Sequence, residues 1–377
     1  MGTNFHFLTN ALFVVVCVTM GTSFLSLHTP KKEGLKSYRI SLKVLSSAYF
    51  TMSLLTIALL TFNLADNARE HFSFFSVFIS STQALLFSFT LITLINPSFV
   101  RAKNLIYHTL PYLFFTILYL VSYNLFGDPS LTSLNYLEQH ISHPTIWIRM
   151  LFLGYYLFQL GYYTYLFLRE VRLYDQELLN YFSEVMQLKM RWVHVAFFSA
   201  LLVGIIAMVS NFFPGRFDWM VTLTFALFYF GFAQKYIQYN KLYNVIEPAI
   251  VAANLEPSHI PTRTLIKTDW TAYRQIIATR QYYREPGVNI EELAGKLNIG
   301  RTTLSNLINR EEGVNFNTWI NRLRIEDAKQ LLIENPGFAI STISEIVGYT
   351  EQANFSRQFK QVAGESPLIW RKKLAVS

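Results

Sequence analysis

The chain has 377 residues, 52% of them hydrophobic and only 15% charged, where an ordinary soluble chain carries about 25% charged. Its net charge of +8 suits anionic lipid heads, nucleic acid, or both. A single cysteine, Cys17, inside an apolar run excludes a disulfide framework and a thiolate metal site, and reads as a small buried hydrophobe.

The average hides a boundary. Charges are sparse up to about residue 240, and beyond 270 the composition is that of a soluble protein. A membrane-crossing helix needs about 20 mostly apolar residues. Seven stretches qualify, at about 5–27, 41–64, 72–95, 105–126, 146–168, 193–213 and 219–239. The first has no basic residue ahead of it and exceeds signal-peptide length, so a retained span is expected.

Lys and Arg set the expected orientation. Lys31, Lys32, Lys36 and Arg39 follow span one, Arg101 and Lys103 follow span three, Arg169, Arg172, Lys189 and Arg191 follow span five, and Lys235 and Lys241 follow span seven. The opposite loops hold only Arg69 and Arg216, with Arg149 just inside span five. The N-terminus is expected outside and the C-terminal half in the cytoplasm.

Two features of the apolar half carry candidate chemistry. The outer loop "GDPSLTSLNYLEQHISHPT" gathers Asp128, Glu138, His140 and His143, and the neighbouring outer loop has Asp66, Glu70 and His71. Their spacing fits no zinc signature, so a solvated loop without metal is expected. In span five, "GYYLFQLGYYTYLF" places Tyr155, Gln159 and Tyr162 together. With Gln83 of span three they are candidate ligand-pocket residues; aromatic helix packing is the other reading. Asn63 and His194 carry the same two readings. The absence of Asp or Glu from the middle of any span argues against a coupled transporter.

Between spans five and six, "REVRLYDQELLNYFSEVMQLKMRWVH" spaces Leu178, Phe182, Val185 and Leu188 as one helix face. Cytoplasmic continuations of the two spans are expected, able to touch a second copy or the C-terminal domain, or to form a hairpin without a signalling role. Pro248, Pro257 and Pro261 then mark a linker. The expected domains are 1–243 across the membrane, a 244–269 linker, and 270–377.

Helix signals resume at Trp270. In "VNIEELAGKLNIGRTTLSNLINREEG", Asn289 and Glu292 stand at capping-box spacing, and a second helix from about Arg301 to Asn309 buries Leu304, Leu307 and Ile308. Short helix, tight turn, short helix is the helix-turn-helix pattern. The long helix "FNTWINRLRIEDAKQLLIEN" follows, and then the pattern repeats. "ISTISEIVGY" forms a helix capped by Ser341 with a turn at Gly348, and "EQANFSRQFKQV" forms a second reading helix burying Phe355 and Phe359.

Residues 271–373 closely resemble the DNA-binding domain of AraC/XylS-type transcription regulators. The resemblance is carried by "INRLRIEDAKQLL" and "ISEIVGYTEQANFSRQFKQVAGESPLIWRK". It implies an all-α fold of seven helices, with two helix-turn-helix units braced by the 316–333 helix. Carried over by position, the base-contact candidates are Thr302, Ser305 and Asn306 on the first reading helix, and Gln352, Asn354, Arg357 and Gln358 on the second. Arg301, Arg322, Lys360, Arg371 and Lys372 are candidate phosphate contacts, which set register rather than sequence. The chain departs from the family pattern at Asn306, often basic, and at Gly300, usually a Ser or Thr cap.

Seven spans joined to this domain also resemble membrane-bound AraC-type regulators of bacteria, and "YFSEVMQLKMRW" is similar to a segment of that architecture and of seven-span sensor kinases. This resemblance implies a one-component sensor in the inner membrane with its reader in the cytoplasm. The implied partners are promoter DNA, the lipid bilayer, a small-molecule or envelope signal, a second copy of the chain and RNA polymerase. No enzymatic motif and no cofactor are expected. Two alternatives are a membrane-anchored regulator released by proteolysis in the linker, and a transporter-like protein with a regulatory tail.

Overall fold

A computed structural model describes residues 2–29, 35–62, 73–96, 99–131, 134–184, 191–210, 218–254 and 270–374. The described residues are helical apart from turns and one isolated antiparallel bridge, Phe182 to Asn289. They divide into two compact units, Met1–Val171 with Met190–Glu247, and Arg172–Lys189 with Pro248–Ser377.

The first unit contains α1 (Gly2–Ser26), α2 (Lys36–Thr61), α3 (Phe74–Ile95), α4 (Ala102–Phe126), the short α5 (Leu134–His140), most of α6 (Pro144–Tyr181), α7 (Arg191–Ser210) and most of α8 (Asp218–Asn254). Long apolar runs form these helices because a helix satisfies its backbone groups within itself. Their hydroxyls do likewise: Thr9, Thr19, Thr22 and Thr56 each donate to the carbonyl four residues back.

α3 is central, with 78% of its apolar window buried, and α4 is peripheral, with 17%. Around α3, Tyr49, Phe87, Tyr229 and Phe232 pack edge to face or tilted, and Cys17 is fully buried. The Tyr49 hydroxyl donates to the Tyr229 carbonyl at 2.6 Å, and Tyr236 donates to Ser41 at 2.6 Å. These two hydroxyls thus find acceptors inside the bundle, while the Tyr229 hydroxyl is buried without one among the described residues. The outward surface is apolar as well: Ile106, Leu110, Phe114, Ile117 and Leu125 of α4 are all exposed.

Five helices among the described residues are long and apolar enough to cross a membrane: Phe5–Ser26, Lys36–Thr61, Phe74–Ile95, Ala102–Phe126 and Arg191–Val209. The stretches expected at 146–168 and 219–239 are helical too, inside α6 and α8, but do not reach that apolarity. In α6 the cause is Tyr155, Tyr156, Gln159, Tyr162, Tyr163 and Tyr165, whose polar tips dilute the run.

Three other local expectations change. α6 continues past its apolar stretch but ends at Tyr181, so Phe182 leaves the helix for the bridge to Asn289; Val185 and Leu188 lie outside the described residues. α8 runs through Pro248 to Asn254, beyond the point where the first linker proline was expected to end it; Pro257 and Pro261 lie outside. Ser341 is not a cap. The helix starts at Ile340 with Ala339 as its N-cap.

The second unit holds the end of α6 and α9 (Trp270–Arg280), a 3-10 turn Tyr282–Arg284, α10 (Ile290–Lys296), α11 (Arg301–Glu312), α12 (Phe316–Glu334), α13 (Ile340–Ile346), α14 (Gln352–Ala363) and α15 (Pro367–Leu374). α12 serves two cores. Its first half puts Phe316, Trp319 and Ile320 against Leu293, Leu304 and Ile308. Its second half puts Ile325, Ala328 and Leu332 against Ile343, Val347, Phe355 and Phe359. Each helix pair is too small to bury its own face, so the brace completes both.

Candidate nucleic-acid interface and ligand cavity

The first helix pair is α10 and α11. Asn289 caps α10, its side chain accepting from the Glu292 amide at 2.9 Å. Asn298 turns the chain at φ 55°, a left-handed conformation that asparagine tolerates. α11 starts at Arg301, and its N-cap, Gly300, offers no side-chain cap. Leu304, Leu307 and Ile308 are buried. Thr302, Ser305 and Asn306 share the opposite face, at i, i+3 and i+4, the first two half-buried and Asn306 exposed.

The second pair, α13 and α14, turns at Gly348, whose φ is 93°. Phe355 and Phe359 anchor α14. Arg357, two positions beyond Phe355, points away from that core and is exposed, as is Gln352, while Gln358 is half-buried. Asn354 is buried: its Nδ2 donates to Glu184 at 3.2 Å and its Oδ1 accepts from Arg357 Nη2 at 2.6 Å.

Of the candidate phosphate contacts, Arg322, Lys360 and Lys372 are exposed. Arg301 lies over the Tyr181 ring at 5.8 Å. Arg371 donates to the Phe338 carbonyl at 2.5 Å, which ties α15 to the turn before α13.

Sequence reasoning missed the residues that join the two pairs. Arg324, within the apolar face of α12, is fully buried. It donates to the Tyr283 carbonyl at 2.7 Å, the Glu285 carbonyl at 2.9 Å and the Glu184 carboxylate at 3.3 Å. Burial pushes its pKa below the ordinary value, while Tyr349 and Glu184 act in the opposite direction. Asn317 and Asn321, one turn apart, donate to the Ser183 carbonyl at 2.7 and 3.0 Å. The Tyr349 hydroxyl donates to Asn321 at 2.6 Å. Arg284 forms a two-pronged pair with Asp327 at 2.6 and 2.7 Å. The available signal was polar residues at i and i+4 on a helix face otherwise apolar, which call for buried partners.

In the first unit, a cavity of about 440 Å³ between α4 and α6 is lined by Lys103, Tyr107, His108, Tyr155, Gln159 and Tyr162. Three of the four candidate ligand residues meet there. Gln83 lines a separate, smaller cavity with Tyr156 and Gly204. The Gln159 carbonyl accepts from the Ser81 hydroxyl at 2.6 Å, so its orientation in the larger cavity is set by α3. Just beyond the C-terminal end of α4, Asp128 is held by Arg149 at 2.5 Å and Tyr119 at 2.7 Å. Among the described residues no group of three or more His, Cys, Asp or Glu could hold a metal; Asp66, Glu70 and His71 lie outside them.

The second unit thus contains two helix-turn-helix pairs on a common brace. Residues 293–373 match the family of helix-turn-helix domains. This region is similar to parts of curated regulators. It is 31% identical over 87 residues to the Msm operon regulatory protein of Streptococcus mutans, covering 23% of this chain and 31% of that one. It is 32% identical over 90 residues to the raffinose operon transcriptional regulatory protein RafR of Pediococcus pentosaceus, covering 24% and 32%. To the arabinose operon regulatory protein of Escherichia coli it is 32% identical over 83 residues, covering 22% and 28%. The chain spans about a third of the length of the first two relatives (31% and 32%). No solved structure matches it.

Proposed function

We propose that the chain is a membrane-embedded, one-component transcription regulator of AraC/XylS type. It reads promoter DNA through the two helix-turn-helix pairs and takes a signal through its apolar unit. The observation that carries the reading half is the single brace, α12, which completes both helix-turn-helix cores. Each pair leaves polar side chains on the outward face of its second helix, where major-groove edges are read.

The apolar outer surface of α4 and the five long apolar helices support the membrane half. An exposed surface of that kind needs lipid or protein to cover it. With α6 and α8 counted as spans, Tyr156, Gln159 and Tyr163 of the first and Tyr229 and Tyr236 of the second being buried, the total is seven, the N-terminus lies outside and the C-terminal unit lies in the cytoplasm of a bacterial inner membrane. The cavity at Tyr155, Gln159 and Tyr162 is the proposed signal site. Promoter DNA, a second copy of the chain and RNA polymerase are the proposed partners. The chain is proposed not to be an enzyme.

Selection of genomic DNA fragments on the full-length protein in nanodiscs, at near-physiological salt, tests this reading. Salt matters because non-specific phosphate binding falls steeply with it. The expected result is enrichment of one or a few promoters. Equal recovery of all fragments, with and without the protein, would reject the function.

A further inference from the structure

We propose that Glu184 is a positioning residue for base reading, which orients the Asn354 amide and through it the Arg357 guanidinium. The inference rests on the proposed DNA-reading role of α14. Glu184 follows the end of α6 and stands 170 residues before Asn354 in sequence. It nevertheless belongs to the same compact unit.

The segment carrying Glu184 is fixed from several sides. The Ser183 amide donates to the Val288 carbonyl at 3.2 Å. The Ser183 carbonyl accepts from Asn317 and Asn321, and the Tyr181 hydroxyl donates to Glu291. Glu184 itself is 12% exposed. Its Oε1 accepts from Arg324 at 3.3 Å and from the Thr350 amide at 3.2 Å. Its Oε2 accepts from the Thr350 hydroxyl at 2.7 Å and from Asn354 Nδ2 at 3.2 Å.

These contacts decide which way the Asn354 amide faces. An ionised carboxylate only accepts, so the amide must turn its NH₂ to Glu184. Its oxygen then faces Arg357, and a guanidinium only donates. The 2.6 Å contact between Arg357 Nη2 and Asn354 Oδ1 holds a long side chain that would otherwise lose rotamer freedom on binding. A guanine edge requires two parallel hydrogen bonds from that guanidinium. Fixing its plane beforehand therefore improves discrimination between base pairs more than it improves overall affinity.

Glu184→Gln tests the relay while nearly preserving volume. The glutamine carbonyl keeps its place against Arg324 and the Thr350 amide, leaving NH₂ toward Asn354. Asn354 must then turn its oxygen to that NH₂ and its own NH₂ toward Arg357, which removes the acceptor. The probe is a duplex carrying the selected genomic site, with each base pair changed singly, bound to full-length protein in nanodiscs.

Arg357→Ala is expected to lose about tenfold discrimination at one base pair. E184Q is expected to lose discrimination at that same base pair with the salt dependence of binding unchanged. Its melting temperature falls as well, because buried Arg324 loses its charge partner, so affinities are compared on the folded fraction. E184Q combined with R357A is expected to be no worse than R357A alone.

Full discrimination in E184Q overturns the proposal, and so does uniform weakening at every base pair or a loss additive to that of R357A. A wild-type protein that prefers no base pair at any position overturns the reading function itself, and the relay with it. In that case R357A and wild type bind alike, which separates the two failures.

Discussion

A Cβ placed on Gly348 would lie 2.6 Å from the carbonyl carbon of Arg284, so the turn between α13 and α14 is pressed directly on the backbone of the 3-10 turn. The same glycine has φ 93°, where an L side chain is strained. Two independent constraints therefore demand glycine. Gly348→Ala is expected to cost more than the roughly 1–3 kcal/mol of backbone strain alone. It should speed proteolysis of the 270–374 region in limited digests of the full chain; digestion at the wild-type rate would contradict the close approach.

Arg324 is fully buried, with three acceptors directed at it. Arg324→Met removes the donor shared by the Tyr283 and Glu285 carbonyls and the only cation paired with the Glu184 carboxylate among the described contacts, at an expected cost of about 3–5 kcal/mol. Arg324→Lys should not restore stability, because one ammonium cannot span the Tyr283 and Glu285 carbonyls as a planar fork does. Denaturation followed by the fluorescence of Trp270 and Trp319 measures both.

Arg357 and Lys372 are both exposed cations but have different expected roles. Arg357→Ala should weaken binding to the selected site by about 1–3 kcal/mol and relax one position. Lys372→Ala should weaken all sequences alike and lower the salt slope by about 1. Titrations at several salt concentrations distinguish the two outcomes.

Arg149 and Asp128 form a buried pair at 2.5 Å, with side chains 3% and 8% exposed. Replacing either alone is expected to destabilise the first unit by about 3–5 kcal/mol. The double replacement Arg149→Met with Asp128→Leu should recover most of that loss, since no unpaired charge remains. Thermal aggregation of the purified protein in detergent reads both effects.

The proposed membrane half predicts that the chain stays in the pellet after alkaline carbonate washing and leaves it only with detergent. Reporter fusions after Ser130 should be active outside, and fusions after Ser377 active in the cytoplasm. A carbonate-soluble chain would contradict the span assignment.

Much of this arrangement was legible in the residues themselves. The apolar runs, the Asn289 cap, the turn glycine Gly348 and the buried faces of α11, α12 and α14 follow from periodicity and local backbone chemistry. Those signals act over one or two helical turns, where neighbours in sequence are neighbours in space. The end of α6 at Tyr181 was not legible, because the pattern Leu178, Phe182 still fits a helix. What ends it is pairing with Val288 and Asn289, more than a hundred residues away.

The same distinction holds for function. By itself the sequence determined two chemically different halves, two helix-turn-helix pairs and the exposed positions of Asn306, Gln352 and Arg357 on their second helices, but it also set Asn354 among the outward residues. Only the tertiary structure decided that the chain near Glu184 enters the reading unit, and that Asn354 is buried between a carboxylate and a guanidinium. It also decided that Gln83 stands apart from Tyr155, Gln159 and Tyr162. Such contacts depend on which surfaces meet once the helices have packed, and no local pattern of residues encodes them.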